Sequence, residues 1–314
     1  MIEYEANKLK NITCVEKTPH FVLLLPLIED PSSTVSSALD AHSTLTSNII
    51  ADAKNEIVAN GKTSSASESG LLKNYPYNIW CALFVLVART PPTQQSKLIE
   101  FILGLQKIEV VDRDKSQWDV LKYHDMECWR QLPGFEWEAR NIFDIGSLLT
   151  FSFLFIVVTT LTFYKDVYSP TLTDREKTSY ENQNAFLAQL LATSKVSTGP
   201  HEFEAHFSLS ALWVLRDAFE NEGNKSKDLA IRSACWWLVF AAEKLWFNVV
   251  NKRDMPDETG VGGDLYEKKG WVGFDRERWE IWREGLRNAD KGRETGKLFK
   301  DALACMERVM EQES

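Results

Sequence analysis

Apolar residues recur at intervals of three and four along most of the chain, and that spacing predicts helices. Asp30-Pro31-Ser32-Ser33 opens the first, which runs to about Asn60, and the polar stretch GKTSSASESG from Gly61 to Gly70 reads as a linker. A second helix begins at Asn74 or Pro76, carries Trp80, Leu83, Phe84 and Val87, and stops before Pro91-Pro92. Thr93 then caps a segment in which Leu98, Ile99, Phe101, Ile102 and Leu105 form one stripe. A short helix is expected from Trp118 to Gln131, ended by Leu132-Pro133-Gly134.

Later signals are clearer. Thr173-Asp174-Arg175-Glu176 has the form of a capping box, opening a helix that buries Phe186, Leu187, Leu190 and Leu191. Another helix, about Glu202 to Glu220, presents Phe203, Phe207, Leu212, Leu215 and Phe219. From Ser226 to Val250 the chain is apolar over most of its circumference, as befits a helix at the centre of a bundle. A charged, Gly-containing loop from Asn251 to Gly270 follows. Asp275 caps a helix with Trp279, Trp282 and Leu286, and a last helix, about Arg293 to Gln312, carries Leu298, Phe299, Ala302, Met306 and Val309. No alternating run is long enough for a sheet. The expected fold is all-α, a single-domain bundle of about eight or nine helices over residues 31–312, with residues 1–30 as an N-terminal extension.

One segment breaks the pattern. Residues 145–164 carry no charge and are long enough to cross a bilayer. Thirteen of these twenty residues are β-branched or aromatic, six are Ser or Thr, and no basic cluster flanks them. Three readings stand: a single membrane span, a buried core segment, or a pyrimidine-rich intron translated in frame. The last fits the composition because Phe, Leu, Ile and Val codons all have T in the middle.

Composition adds exclusions. The 314 residues carry a formal charge of −9, which opposes charge-driven nucleic-acid binding. Five scattered cysteines, Cys14, Cys81, Cys128, Cys235 and Cys305, favour packed thiols over a disulfide framework, and with FVLLLPLI too short for a leader this points to the cytoplasm. The alternative location is a membrane reached through residues 145–164. The sequons at Asn11 and Asn224 read as chance.

Five stretches carry a resemblance: IWCALFVLVARTPPTQQSKLIEFILGLQKI, WRQLPGFEWEAR, ENQNAFLAQLLA, ACWWLVFAAEKLW and KKGWVGFDRERWEIWREGL. In this order, over roughly residues 77–290, they resemble a family of uncharacterised all-helical fungal proteins defined by a domain of unknown function. The resemblance implies a helical fold and a fungal source, and supplies no activity, cofactor or catalytic residue. Family members look like having only a short polar connection where this chain has its apolar run, which strengthens the intron reading.

Motifs with chemistry are few. His201 and His206 are five apart, about 140° from each other around a helix, so they cannot share a metal as a zinc-protease pair does. His124 and Cys128 are four apart but no second ligand pair accompanies them; a partly buried histidine beside a core cysteine is the ordinary reading. Gly260-Val261-Gly262-Gly263 resembles a phosphate loop, yet no strand precedes it and no Gly-Lys-Ser/Thr follows, which leaves a flexible turn. No metal site and no cofactor is expected.

The aromatic residues are the distinctive feature. Trp236, Trp237, Trp246, Trp271, Trp279 and Trp282 crowd the last third, beside Arg276, Arg278, Arg283 and Arg287. The plain account fills helix interfaces with indoles and pairs the arginines with Glu277, Glu280 and Glu284 on the wet face. The sharper account is a ligand cleft of Trp236, Trp237, Trp271, Trp279 and Trp282 with Arg283 meeting an anionic group. The first functional reading is a non-enzymatic binding or scaffold protein, its partner an apolar small molecule or a protein. The second is an enzyme or accessory protein of fungal secondary metabolism, with Glu243, Glu277 or His206 moving a proton; the third is a single-pass membrane accessory protein.

Overall fold

The computed structural model describes residues 12–59, 72, 75–112, 119–123, 125–140, 172–194, 203–222, 227–255, 257–289 and 296–312. The chain divides into two compact units, one ending at Tyr164 and the other beginning at Lys165. Both are all-α, and eight of the described helices have ten residues or more, in line with the expected eight or nine.

In the first unit Thr18 caps α1 (Pro19–Leu24), its hydroxyl accepting from the Phe21 amide, and α2 (Pro26–Glu29) follows directly. The long helix α3 (Val35–Ala59) starts where the Asp30-Pro31 signal places it. Next come α4 (Tyr75–Val87) and α5 (Ser96–Leu105). Helix α1 packs against α4 and α3, and α3 against α5. Trp80 is fully buried and donates from Nε1 to the Pro133 carbonyl at 2.8 Å, tying α4 to the turn before α6 (Phe135–Arg140).

Two local expectations fail here. Thr93 caps nothing: Pro92–Gln94 forms a 3-10 turn and the N-cap of α5 is Gln95, whose side chain donates back to the Thr90 carbonyl at 2.9 Å. A prolyl pair fixes φ and starts a turn of its own, which moves the helix onset down the chain. The helix expected from Trp118 to Gln131 is replaced by two short antiparallel ladders, β1 (Val111–Asp112) with β2 (Asp119–Val120) and β3 (Lys122–Tyr123) with β4 (Met126–Glu127). Asp125, Trp129 and Leu132 have positive φ values of 65°, 63° and 47°, a conformation no α-helix contains.

The second unit is built around α9 (Lys227–Val250), which packs against α7 (Asp174–Thr193), α8 (Phe203–Phe219), α10 (Arg276–Asn288) and α11 (Gly296–Glu311). It is the axis its all-round apolar pattern predicts. The capping box forms in full: the Thr173 hydroxyl accepts from the Glu176 amide at 3.2 Å, and the Glu176 carboxylate accepts from the Thr173 amide at 2.8 Å. Asp275 caps α10 by accepting from the Glu277 amide at 2.7 Å.

The apolar run 145–164, the linker 61–70, His124 and His201 lie outside the described residues. Among the described residues no helix is long and apolar enough to cross a membrane.

Candidate functional site

The tryptophan-rich end of the second unit forms where the end of α8 meets the segment between α9 and α10. Arg278, Trp282 and Leu286 stand four apart on α10 and so share a face, and all three are buried. An arginine on that stripe must find partners inside the protein, because an isolated buried charge is prohibitively costly.

It finds a complete set. Arg278 Nε and Nη2 donate to the two carboxylate oxygens of Glu220 at 2.9 and 3.0 Å. Nη1 donates to the carbonyls of Gly260 and Gly273 at 2.7 and 2.6 Å, and Nη2 also to that of Val261 at 3.3 Å. The five donors of the guanidinium are thus all used. Glu220 is saturated in turn, accepting as well from Trp282 Nε1 at 2.7 Å and from the Gly263 amide at 2.9 Å. Trp271 and Trp282 face the guanidinium, with ring centroids 5.2 and 5.7 Å from its carbon. Bidentate, charge-assisted bonds of this kind are the strong ones.

The clasp fixes the backbone of residues 257–273. The Leu265 amide donates to the Glu220 carbonyl at 3.0 Å and the Asp264 amide to Asn221 Oδ1 at 3.1 Å. Met255 and Phe274 amides donate to the Val272 and Arg253 carbonyls. Trp213 Nε1 reaches the Thr259 carbonyl at 3.2 Å. A Cβ on Gly260 would meet the Val272 carbonyl oxygen at 2.1 Å, and one on Gly263 would meet Asn221 at 2.3 Å. The Gly260–Gly263 run, expected as a flexible turn, is a packed and bonded element whose glycines admit close backbone approach.

The six sequence-derived candidates separate. Trp271, Trp279 and Trp282 gather round the clasp, Trp279 fully buried with its ring 5.2 Å from Trp246 and 6.1 Å from Trp282. Trp237 is buried toward α7, donating to Asn184 Oδ1 at 2.8 Å. Trp236 stacks on Phe240 at 5.7 Å and donates to Glu181, which also holds Arg232 in a bidentate pair. Arg283 turns to α11, donating to Met310 Sδ at 3.4 Å and pairing with Glu280.

The pairing expected on the wet face of α10 holds for Arg283 with Glu280 and Arg287 with Glu284, and fails for Arg278. Glu220 and Arg278, which organise the site, were missed as a pair because they are 58 residues apart. The available signal was Arg278 standing in register with Trp282 and Leu286.

A family model for proteins of unknown function, DUF3632, matches residues 80–286, from the buried Trp80 to the buried Leu286. The chain belongs to the DUF3632 family. The matched span takes in both members of the clasp and the whole segment they hold. No curated protein and no solved structure matches the chain significantly.

Proposed function

We propose that this DUF3632 protein is a non-enzymatic binding protein whose recognition surface is the clasped segment 257–273, and that its partner is a protein. One observation carries the reading: large apolar side chains are exposed on a backbone that a buried ion pair holds still. Of the eight large hydrophobics exposed among the described residues, Val261, Leu265 and Val272 lie in the clasped segment and Phe247 and Val250 at the end of α9 leading into it. Exposed apolar groups on a fixed loop suit recognition, since little ordering entropy remains to be lost on binding.

Charged side chains border these residues, with Asp264, Glu267 and Lys268 around Leu265. Apolar centres rimmed by polar groups are the usual make-up of protein interfaces. The enzyme reading draws less support. Glu243 and Glu277, two of its three proposed proton carriers, are 70% and 51% exposed and pair with Arg308 and Lys269, and the side chain of the third, His206, lies outside the described residues.

The test places a photo-crosslinking residue at Val272, and separately at Val58, in the full chain in its native host. A discrete adduct from position 272 alone is expected. The partner, identified and purified, should lose at least tenfold in affinity for Leu265→Asp while thermal stability is kept, as for an interface hot spot. Equal labelling from both positions, or binding indifferent to Leu265→Asp, overturns the reading.

A further inference from the structure

The first unit buries polar atoms without partners. His20 Nδ1 and Nε2, His42 Nδ1, Tyr123 Oη and Trp129 Nε1 are shut from solvent and accept or donate no hydrogen bond. Such groups are costly and call for an explanation. They surround Tyr75: the rings of His20, His42 and Trp129 lie 5.3, 6.4 and 5.6 Å from it. Tyr75 and Thr46 share a hydrogen bond of 2.7 Å, and His42 sits 4.6 Å from Trp129 and 6.0 Å from Phe101.

The two histidines come from different elements, His20 from α1 and His42 from α3, and both meet α4 through Tyr75. Among the described residues the titratable groups that face them are each other and Tyr75, with Cys128 and Tyr123 behind Tyr75. Burial raises the pKa of the two phenols and the thiol, so all three are uncharged at neutral pH. Elsewhere around α1 and α3 the charges are engaged or exposed. Arg89 lies over Phe21 and pairs with Glu16, Lys97 donates to the carbonyls of Asp30, Pro31 and Ser33, and Glu29 and Glu100 are exposed. Among the described residues an imidazolium formed here therefore meets aromatic rings, the Thr46 hydroxyl and a second histidine in place of a carboxylate.

We propose that His20 and His42 form an acid-sensitive latch, which holds residues 12–29 onto the first unit at neutral pH and releases them when the imidazoles take up protons. Both histidines lie before residue 80, where the family match begins, so the latch is carried by a segment outside the matched span. Burial lowers the pKa of His20 to about 4 and that of His42, through burial and then the charge of His20, to about 3. A released histidine returns to about 6.5. Opening is thus favoured as pH falls below that value, by about tenfold at pH 5.5 for each imidazole it frees. Release uncovers Tyr75 and the side of α4 on which α1 rests.

Hydrogen exchange of the full chain at pH 7.5 and 5.5, corrected for the intrinsic rate, tests this. Peptides covering residues 12–29 should exchange at least about tenfold faster at the lower pH while those of α9 keep their protection. The double variant His20→Phe/His42→Phe, which keeps the rings and cannot protonate, should abolish the acid step. An acid step that survives in it overturns the latch, as does simultaneous loss of protection in α1 and α9. Should the variant fail to protect α9 at pH 7.5, the native chain alone decides: exchange of residues 12–29 that does not change between the two pH values refutes the proposal.

Discussion

Glu220 and Arg278 form a bidentate ion pair in which neither side chain has any exposure to solvent, and every donor and acceptor of the two is engaged. Burying two charges costs several kcal/mol per ion, which even such geometry only offsets, so the net contribution of a pair like this to stability is modest. Its effect is conformational. Three carbonyls and one amide of the segment between α9 and α10 are bound to this pair, which converts a Gly-containing loop into a surface of fixed shape.

Removing one partner is therefore far worse than removing both. Arg278→Met should cost about 3–5 kcal/mol, since it strands the Glu220 carboxylate in the interior. Glu220→Leu/Arg278→Met should recover part of that loss and not all, because the carbonyls of Gly260, Val261 and Gly273 stay without their donors. Urea unfolding of the two single variants and the double gives the coupling as a mutant cycle. A double-variant loss equal to the sum of the two single losses would show that the two side chains are not coupled.

The glycines of the second unit give a graded series. A methyl on Gly273 meets the Arg253 carbonyl oxygen at 2.1 Å, and that contact is backbone, which cannot rotate away. Gly273→Ala should cost about 1–3 kcal/mol, as overpacking does. Gly270 has open space around it but a φ of 68°, so Gly270→Ala should lose about 1 kcal/mol to backbone strain alone. Gly296, with nothing within 4 Å, begins α11, and Gly296→Ala should be neutral or slightly stabilising. Thermal melts of the three variants test the order.

These contrasts show how far the residues speak for themselves. Helix positions were legible wherever local rules act: the Thr173 box and the Asp275 cap are satisfied within three residues, and the all-round apolar pattern of 226–250 marks a central helix. The failures are non-local or competitive. Residues 118–131 have helix-compatible spacing, yet Asp125, Trp129 and Leu132 take positive φ, and Trp129 then enters the cluster round Tyr75. The crowding of tryptophans near Arg278 was plain, but the partner that gives the arginine its place is at the end of a different helix, and no periodicity reports on it.

Thiol reactivity should divide the cysteines by burial. Cys128 and Cys235 are buried, and burial pushes both thiols well above their ordinary pKa, as it does for Cys81. Cys14 is exposed. A disulfide reagent at pH 8 should label Cys14 fast, Cys305 more slowly, and Cys81, Cys128 and Cys235 only as the protein opens. Mass spectrometry of partly labelled protein checks the order; early modification of Cys235 would contradict the packing of α9.

Stability should have a plateau near neutral pH and fall on both sides. On the acid side His20 and His42 have folded pKa values of about 4 and 3, below the unfolded value, so the unfolded state binds more protons. Their contribution is whole above about pH 6.5 and is lost as pH falls toward the folded values, by up to about 1.4 kcal/mol per pH unit for each imidazole. On the alkaline side the signs reverse. Burial raises Cys81, Cys128, Cys235, Tyr75 and Tyr123, so the folded state keeps protons that the unfolded chain sheds. The decline there should begin above about pH 8.5, where unfolded thiols ionise, and steepen past about pH 10 with the phenols. Urea midpoints from pH 4 to 10.5 trace the curve. His20→Phe/His42→Phe should flatten the acid limb and leave the alkaline limb unmoved, a separation that a general charge-repulsion effect would not produce.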